Sequence, residues 1–402
     1  MIQMEELYEK ILTEMDLSKE VEDDELVEII HRILDEKGKE TYISLRQKSG
    51  LGKELFNAFR KLDILQELIE DDEITEIMIN GINNIFVEKQ GQILELEKRF
   101  ITRTKLEDVI QQIVAGSNRI VNEASPIVDA RLPDGSRVNV VLYPIALNGP
   151  IVTIRKFPKN ITMEQLVRLE AVGQEMIPFL KRLMEAKYNV FISGGTGSGK
   201  TTFLNALSDF IPKDERIITI EDNAELRIQN VPNLVRLEAR NANVEGTGEI
   251  TIRDLIKSAL RMRPSRIIVG EVRGREAIDM LQSLNTGHCG ASSGHSNSPE
   301  DMLSRLETMV LMGMDIPLAA IQRQIAAGID IIISGAGLLG RLRDRSRKLL
   351  QIVEVLGYEE GKIQLQTLYE FQETKMVDGK IKGEWVKLHE IQNQEKLLAA
   401  GY

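Results

Sequence analysis

The chain has 402 residues, which a prior of about 150 per domain divides into two or three domains. Hydrophobic residues make 42% and charged residues 28%, enough apolar material to bury sizeable cores without staples. The net charge of −11 argues against a broad nucleic-acid-binding face, so no nucleic-acid partner is expected, and the one cysteine, Cys289, excludes an intramolecular disulfide and a Cys-based structural zinc site.

The N-terminal MIQMEELYEK is acidic and has no basic stretch leading into an apolar core, so no signal peptide is expected. The most apolar charge-free run, Ile331 to Gly340, is far short of the roughly 20 residues that span a bilayer. A reducing, cytoplasmic setting is the expectation, with docking at a membrane left open.

Residues 1–62 read as a charged helical arm. Leu26, Ile29, Ile30, Ile33 and Leu34 recur at helical spacing behind the acidic run Glu22 to Glu25. The glycine-containing KSGLGKE at 48–54 is expected to break the pattern before a further helix through Leu62. Residues 63–157 alternate short β-branched runs (74–79, 84–88, 127–132, 137–142, 151–157) with one helical stretch at 106–115, divided by the turns Asn80-Gly81, Gln90-Gly91 and Pro133-Asp134-Gly135. This predicts a compact α+β domain. Pro158 and the polar stretch to 175 form a candidate linker.

Residues 176–402 change texture again. Strand candidates at 188–192, 217–220, 235–237, 267–269 and 329–333 alternate with longer helical patterns, which implies βαβ units and a mainly parallel sheet. Stretches 349–355 and 362–371 predict a closing pair of strands, and the tail after Trp385 carries no recognisable pattern.

The strongest motif is Gly194-Gly195-Thr196-Gly197-Ser198-Gly199-Lys200-Thr201, followed by Thr202, between an apolar strand and a helix. Glycines in that context let backbone N–H groups curl around phosphates at a helix N-terminus. Lys200 would reach the β- and γ-phosphates and the Thr201 hydroxyl would ligate Mg²⁺, so the motif implies ATP or a related nucleoside triphosphate. Past the next strand lie Glu221-Asp222 and Glu225 (TIEDNAEL), at the strand end where an open α/β sheet binds ligands. One carboxylate could activate water and another hold Mg²⁺, although an Asp222 helix cap beside solvated glutamates explains the same residues.

The strand 266–269 ends in Gly270-Glu271, placing Glu271 where a Mg²⁺-binding carboxylate belongs, amid Arg261, Arg263, Arg273 and Arg275. Two of the four histidines, His288 and His295, fall in one small-residue stretch. Without a third ligand at matching spacing they suggest a polar sensor of the γ-phosphate or of a neighbouring subunit rather than a metal site.

Taken in order, these boxes resemble the secretion-superfamily ATPases of type II/IV secretion and type IV pili, where they are called Walker A, Asp box, Walker B and His box. The stretches DARLPDGSRVN, GPIVTIRKF, TIRDLIKSALRMRP and SPEDMLSRLETMV look most like the CpaF/TadA branch that powers Flp/Tad pili. The resemblance covers about 64–371. It implies an α/β RecA-like P-loop domain behind an α+β, PAS-like N-terminal domain and a helical arm. It also implies a hexameric, Mg²⁺-dependent ATPase that works on an inner-membrane platform protein from the cytoplasmic side. Residue by residue, it implies that Glu221 is the catalytic glutamate, Glu271 the Walker B glutamate and His288 with His295 the His-box pair. Arg131, Arg137 and Arg155 are the arginines implied to approach phosphate.

Overall fold

The computed structural model describes the chain apart from residues 1–3, 16–20, 90–91, 157–160, 241–246 and 336–345, and its contacts divide it into two units, Met1–Lys159 and Asn160–Tyr402. The expected domain end at Phe157, the linker start at Pro158, the Gln90-Gly91 turn and the second half of the apolar run 331–340 lie outside the described residues.

In the first unit, α1 (Met4–Glu14), α2 (Asp23–Glu40) and α3 (Leu45–Arg60) bury Leu7, Ile11, Leu26, Ile30, Ile33, Leu34 and Leu55 against one another. The break expected at 48–54 is absent, because α3 runs through Gly50 and Gly52. Each helical glycine costs about 1 kcal/mol relative to alanine. A complete capping box between Ser44 and Gln47 opens the helix, and its apolar face packs on α2, which outweighs that cost.

Helix α4 (Ile64–Glu70) leads into β1 (Ile74–Asn80), β2 (Ile85–Lys89), β3 (Gln92–Leu96), α5 (Arg103–Gly116), β4 (Ile127–Arg131), β5 (Arg137–Val141) and β6 (Ile151–Arg155). The strands form one antiparallel sheet in the order β3-β2-β1-β6-β5-β4, and α5 packs Leu106, Val109, Ile110 and Ile113 on its apolar face. Within the arm Tyr8 stacks on Phe59 at 4.5 Å, and the arm is fastened to this domain where the Lys105 ammonium lies 5.5 Å from the Tyr8 ring centre and Lys98 bridges Glu54 (3.0 Å) and Glu67 (2.6 Å).

In the second unit the stretch expected to be a linker is folded from Met163 onward. Helix α6 (Met163–Arg168) has its own capping box and buries Met163 and Leu166, and Val172 and Met176 join the same core. Then follow α7 (Ile177–Glu185), β7 (Val190–Ser193), α8 (Lys200–Ser208), β8 (Ile217–Glu221), β9 (Leu234–Glu238), α9 (Ile252–Ala259), β10 (Arg266–Val269) and α10 (Ala277–Asn285). The remainder is β11 (Cys289–Gly294), α11 (Pro299–Leu311), α12 (Leu318–Gly328), β12 (Ile331–Ser334), β13 (Gln351–Glu359), β14 (Lys362–Val377), β15 (Lys380–Lys387) and α13 (Glu395–Ala399).

Nine strands form one sheet in the order β15-β14-β13-β12-β7-β11-β10-β8-β9; β12 through β9 are parallel and the last three in sequence antiparallel. Helices cover both faces, each over its own apolar cluster. Strand β11 sits at the centre although its sequence, CGASSG, predicts none. All six of its residues are buried.

Candidate functional site: a phosphate-binding loop and its carboxylates

The parallel strands deliver their next residues to one edge of the sheet, where an open α/β fold binds ligands. Strand β7 feeds the glycine loop 194–199, in which Gly197 (φ +71°) and Gly199 (φ +85°) occupy the left-handed region that side chains disfavour. Helix α8 begins at once, so its first N–H groups and dipole point at the loop. Backbone hydrogen bonds from Gly194 to the Gly294 carbonyl (3.3 Å) and from Ser296 to the Gly194 carbonyl (3.4 Å) tie the loop to the end of β11.

Lys200 is 7% exposed, and burial pushes its pKa below the ordinary lysine value. Its Nζ donates to the carbonyls of Gly194 (3.3 Å) and Gly195 (3.2 Å) and lies 3.2 Å from His295 Nδ1. On the other side of the ring, His295 Nε2 is 2.7 Å from Glu271 Oε1, and Arg273 Nε donates to Glu271 Oε2 at 2.8 Å. A neutral His295 accepts from Lys200 at Nδ1 and turns Nε2 toward Glu271 in a close contact rather than an aligned hydrogen bond, since Glu271 Oε1 has no hydrogen-bond partner among the described residues. Burial and the adjacent ammonium both lower its pKa, in keeping with that state. Four side chains from three strand ends thus form one chain, Lys200–His295–Glu271–Arg273.

The two glutamates of the Asp box separate. Glu221 closes β8 and is buried. Its Oε2 accepts from the backbone N–H groups of Glu225 and Leu226, both at 2.7 Å, and its Oε1 has no partner among the described residues. Burial raises its pKa to about 7, against the two backbone donors that pull the other way. A Cβ on Gly270 would stand 2.9 Å from Glu221 Cγ, so the carboxylate is lodged over a position that only glycine suits. Glu225 is half-buried and its Oε2 lies 3.5 Å from Thr201 Oγ1, beside the P-loop. The turn locked by Glu221 is what points Glu225 there.

Other expected site residues fall elsewhere. His288 and His295 flank β11 at opposite ends, and seven residues of extended chain at about 3.3 Å each set them roughly 20 Å apart. The structure brings His295 to the loop and leaves His288 at the far edge of the sheet, 3.4 Å from Thr286 Oγ1. Cys289, beside it, is buried with its thiol pushed up by burial. Arg261, Arg263 and Arg275 are exposed, and Arg273 alone of the four engages Glu271.

In the first unit, Arg131, Arg137 and Arg155 are direct cross-strand neighbours on β4, β5 and β6, on the face opposite the α5-packed core. Glu76 of β1 stands directly across from Arg155 at the end of the row.

Comparison with known proteins gives these features a lineage. The family model described as type II/IV secretion system protein matches residues 59–377. A putative conjugal transfer protein of Mycobacterium tuberculosis is 34% identical over 315 residues, covering 76% of this chain and 87% of its own length. The type IV secretion system protein VirB11 of Brucella suis is 32% identical over 305 residues, covering 68% and 83% respectively. Among solved structures, the pilus retraction motor PilT with bound ADP has a TM-score of 0.52 at 20% identity, covering 76% of this chain and 81% of its own. The ATPase DotB of Legionella pneumophila has a TM-score of 0.50 at 20% identity, covering 76% and 78%. The fold is that of these RecA-like ATPases, a P-loop domain preceded by an α+β domain.

Proposed function

This chain belongs to the type II/IV secretion system protein family, and from that premise we propose that it is a Mg²⁺-dependent ATPase. In this reading it acts as a subunit of a hexameric ring that drives Flp/Tad, type IV-like pilus assembly or type II-like secretion. The observation that carries the reading is the Lys200–His295–Glu271–Arg273 chain converging on a P-loop at the ligand-binding edge of a parallel sheet. The loop residues 194–202 bind the phosphates, with Lys200 leaving its own carbonyls for the β- and γ-phosphate oxygens. Thr201 and Glu271 supply oxygen donors, a pair that suits a hard cation needing only one or two protein ligands beside phosphate and water. Bound Mg²⁺ would neutralise charge on the β- and γ-phosphates.

Glu225, not Glu221, takes the proton of the attacking water as its oxygen bonds to the γ-phosphorus and the bond to the β–γ bridging oxygen breaks. Glu221, enclosed and held by two backbone donors, is a positioning residue for that turn. His295 links the loop lysine to Glu271 and so senses the γ-phosphate. Arg131, Arg137 and Arg155 would stabilise charge on the transferring group when the first unit closes on nucleotide, and such closures around a ring deliver the stroke. The partner is an inner-membrane platform protein, with the ring docked at the cytoplasmic face; no helix among the described residues is long and apolar enough to cross a membrane.

The CpaF/TadA-like motif stretches and a helical arm with its own core favour the pilus branch. The names of the conjugal-transfer and VirB11 relatives favour a second reading, a conjugation-type type IV secretion motor. Steady-state ATPase activity against protein concentration, with mass determination in the presence and absence of ATP, tests the core of the proposal. Turnover should rise as a six-subunit species forms, vanish in Lys200→Ala, and fall by about 10²-fold or more in Glu225→Gln. Turnover by a monomer breaks the ring model, and full activity in Glu225→Gln breaks the assignment of the base. ATP binding without turnover under all conditions points to a nucleotide-gated scaffold.

A further inference from the structure

Between β8 and β9 the chain at 222–228 forms no regular element, so its backbone groups find partners among side chains. Consecutive N–H groups from 224 to 227 all do so. Ala224 donates to Glu238 Oε1 of β9 at 3.1 Å, Glu225 and Leu226 both donate to Glu221 Oε2 of β8 at 2.7 Å, and Arg227 donates to Asn205 Oδ1 of α8 at 2.9 Å. Arg236 Nη2 of β9 donates to the Leu226 carbonyl at 3.0 Å. Two strands and the P-loop helix thus hold one turn between them, and that turn carries Glu225.

Asn205 stands out at its position. It lies in the interior of α8 and is 9% exposed, where asparagine is a poor helix former and a buried amide needs a partner. Its partner is a backbone N–H, which fixes the amide with its oxygen toward the turn. Thr201 and Asn205 are spaced i, i+4 and so share one face of α8. Thr201 Oγ1 is 3.5 Å from Glu225 Oε2 and Asn205 accepts from Arg227, so the helix meets the turn at two rungs, about one helical turn apart.

We propose that Asn205 is a positioning residue for hydrolysis: by holding the Arg227 N–H it keeps the turn in register with the P-loop helix, and so keeps Glu225 aimed at the attacking water. The Thr201 rung is long and is given up when that hydroxyl turns to a bound cation. The Asn205 rung uses no group that touches nucleotide or cation, so it persists through that change. Glu221 and Glu238 fix the turn to the strands, whereas Asn205 fixes it to the helix whose N-terminus receives the phosphates. The proposal rests on the ATPase reading and on Glu225 as the base.

Steady-state ATPase kinetics of the full chain test it, with calorimetric titration of inorganic tripolyphosphate as the measure of an intact P-loop. Asn205→Ala removes the acceptor and substitutes a better helix former. It should lower kcat about tenfold or more and leave KM and tripolyphosphate affinity within about twofold. Asn205→Asp keeps an oxygen at the same place in either protonation state and should return kcat to within about threefold of wild type. Added to Glu225→Gln, Asn205→Ala should slow turnover by less than about twofold more, because a base that is absent cannot be misaimed. Unchanged kcat in Asn205→Ala, or Asn205→Asp as slow as Asn205→Ala, overturns the positioning role. Tripolyphosphate affinity lost in step with kcat makes Asn205 a structural part of the loop and overturns it as well. So does a full further loss in the double variant, which would mean that Asn205 acts other than through Glu225. Full activity in Glu225→Gln alone removes the base, and this proposal with it, whatever the Asn205 variants do.

Discussion

Glu221 carries the largest electrostatic cost in the site, since a buried carboxyl with one oxygen unpartnered holds its proton to about pH 7. Its ordinary value of 4.5 applies in the unfolded chain, so between pH 4.5 and about 7 the folded protein binds the extra proton. Stability from this group is therefore full below pH 4.5 and is lost as pH rises through about 7, by at most about 3 kcal/mol. Glu221→Gln keeps an oxygen for the two backbone donors and removes the titration. Wild type and variant should melt together near pH 4.5, and the variant should melt higher at pH 8. Parallel melting curves at both pH values would show that Glu221 is not buried as a carboxyl. The same residue marks a limit of the sequence. Spacing placed both Glu221 and Glu225 at the strand end, and only the backbone donors at 225 and 226 reveal which one is locked.

Among the elements, the periodic ones were legible and the glycine-containing ones were not. The P-loop, β8, β10 and the amphipathic α2 announce themselves by pattern, whereas α3 and β11 run against local propensity and are decided by packing. Two glycine substitutions of opposite sign follow. Gly50 in α3 has nothing within 4 Å of an added Cβ, so Gly50→Ala should stabilise the protein by about 0.5–1 kcal/mol. Gly290 in β11 has the Ile267 carbonyl oxygen 2.6 Å and Leu284 Cδ2 2.7 Å from that position. Gly290→Ala should therefore cost about 1–3 kcal/mol through overpacking. Denaturant melts of both variants measure this, and a stabilised Gly290→Ala would mean the approach of α10 to β11 is not tight. The same central strand explains why the two histidines could not be assigned from spacing. Seven residues mean one place in a loop and opposite ends of the sheet in a strand.

At the scale of the whole molecule, the tail after Trp385 had no pattern to read because its order comes from contacts far away in sequence. Ile391 is buried in the core of the second unit. Glu354, 1% exposed on β13, accepts from the backbone N–H groups of Gln392 and Asn393, both at 2.8 Å. Tyr188 Oη donates to the Asn393 carbonyl at 2.5 Å, and burial with nearby Asp330 and Glu354 pushes its pKa to about 12. Lys396 pairs with Asp330 at 2.5 Å. Asn189 begins the segment that enters β7 and shares Asp330 through its own N–H at 2.6 Å, so the tail braces the start of the strand whose other end is the P-loop. Deleting residues 388–402 exposes apolar core at Ile391 and leaves Glu354 without the two donors that satisfy it. Loss of partners around a buried carboxylate costs about 3–5 kcal/mol. For a unit of this size that corresponds to a fall in Tm of about 6–20 °C. Because the tail sits at the opposite strand ends from Lys200 and Glu271, tripolyphosphate affinity measured well below the lowered Tm should stay within about twofold of the full chain. A truncated protein that melts with the full chain would make the tail a surface appendage. One that keeps its Tm and loses phosphate affinity would mean that β7 transmits the tail's contacts to the loop.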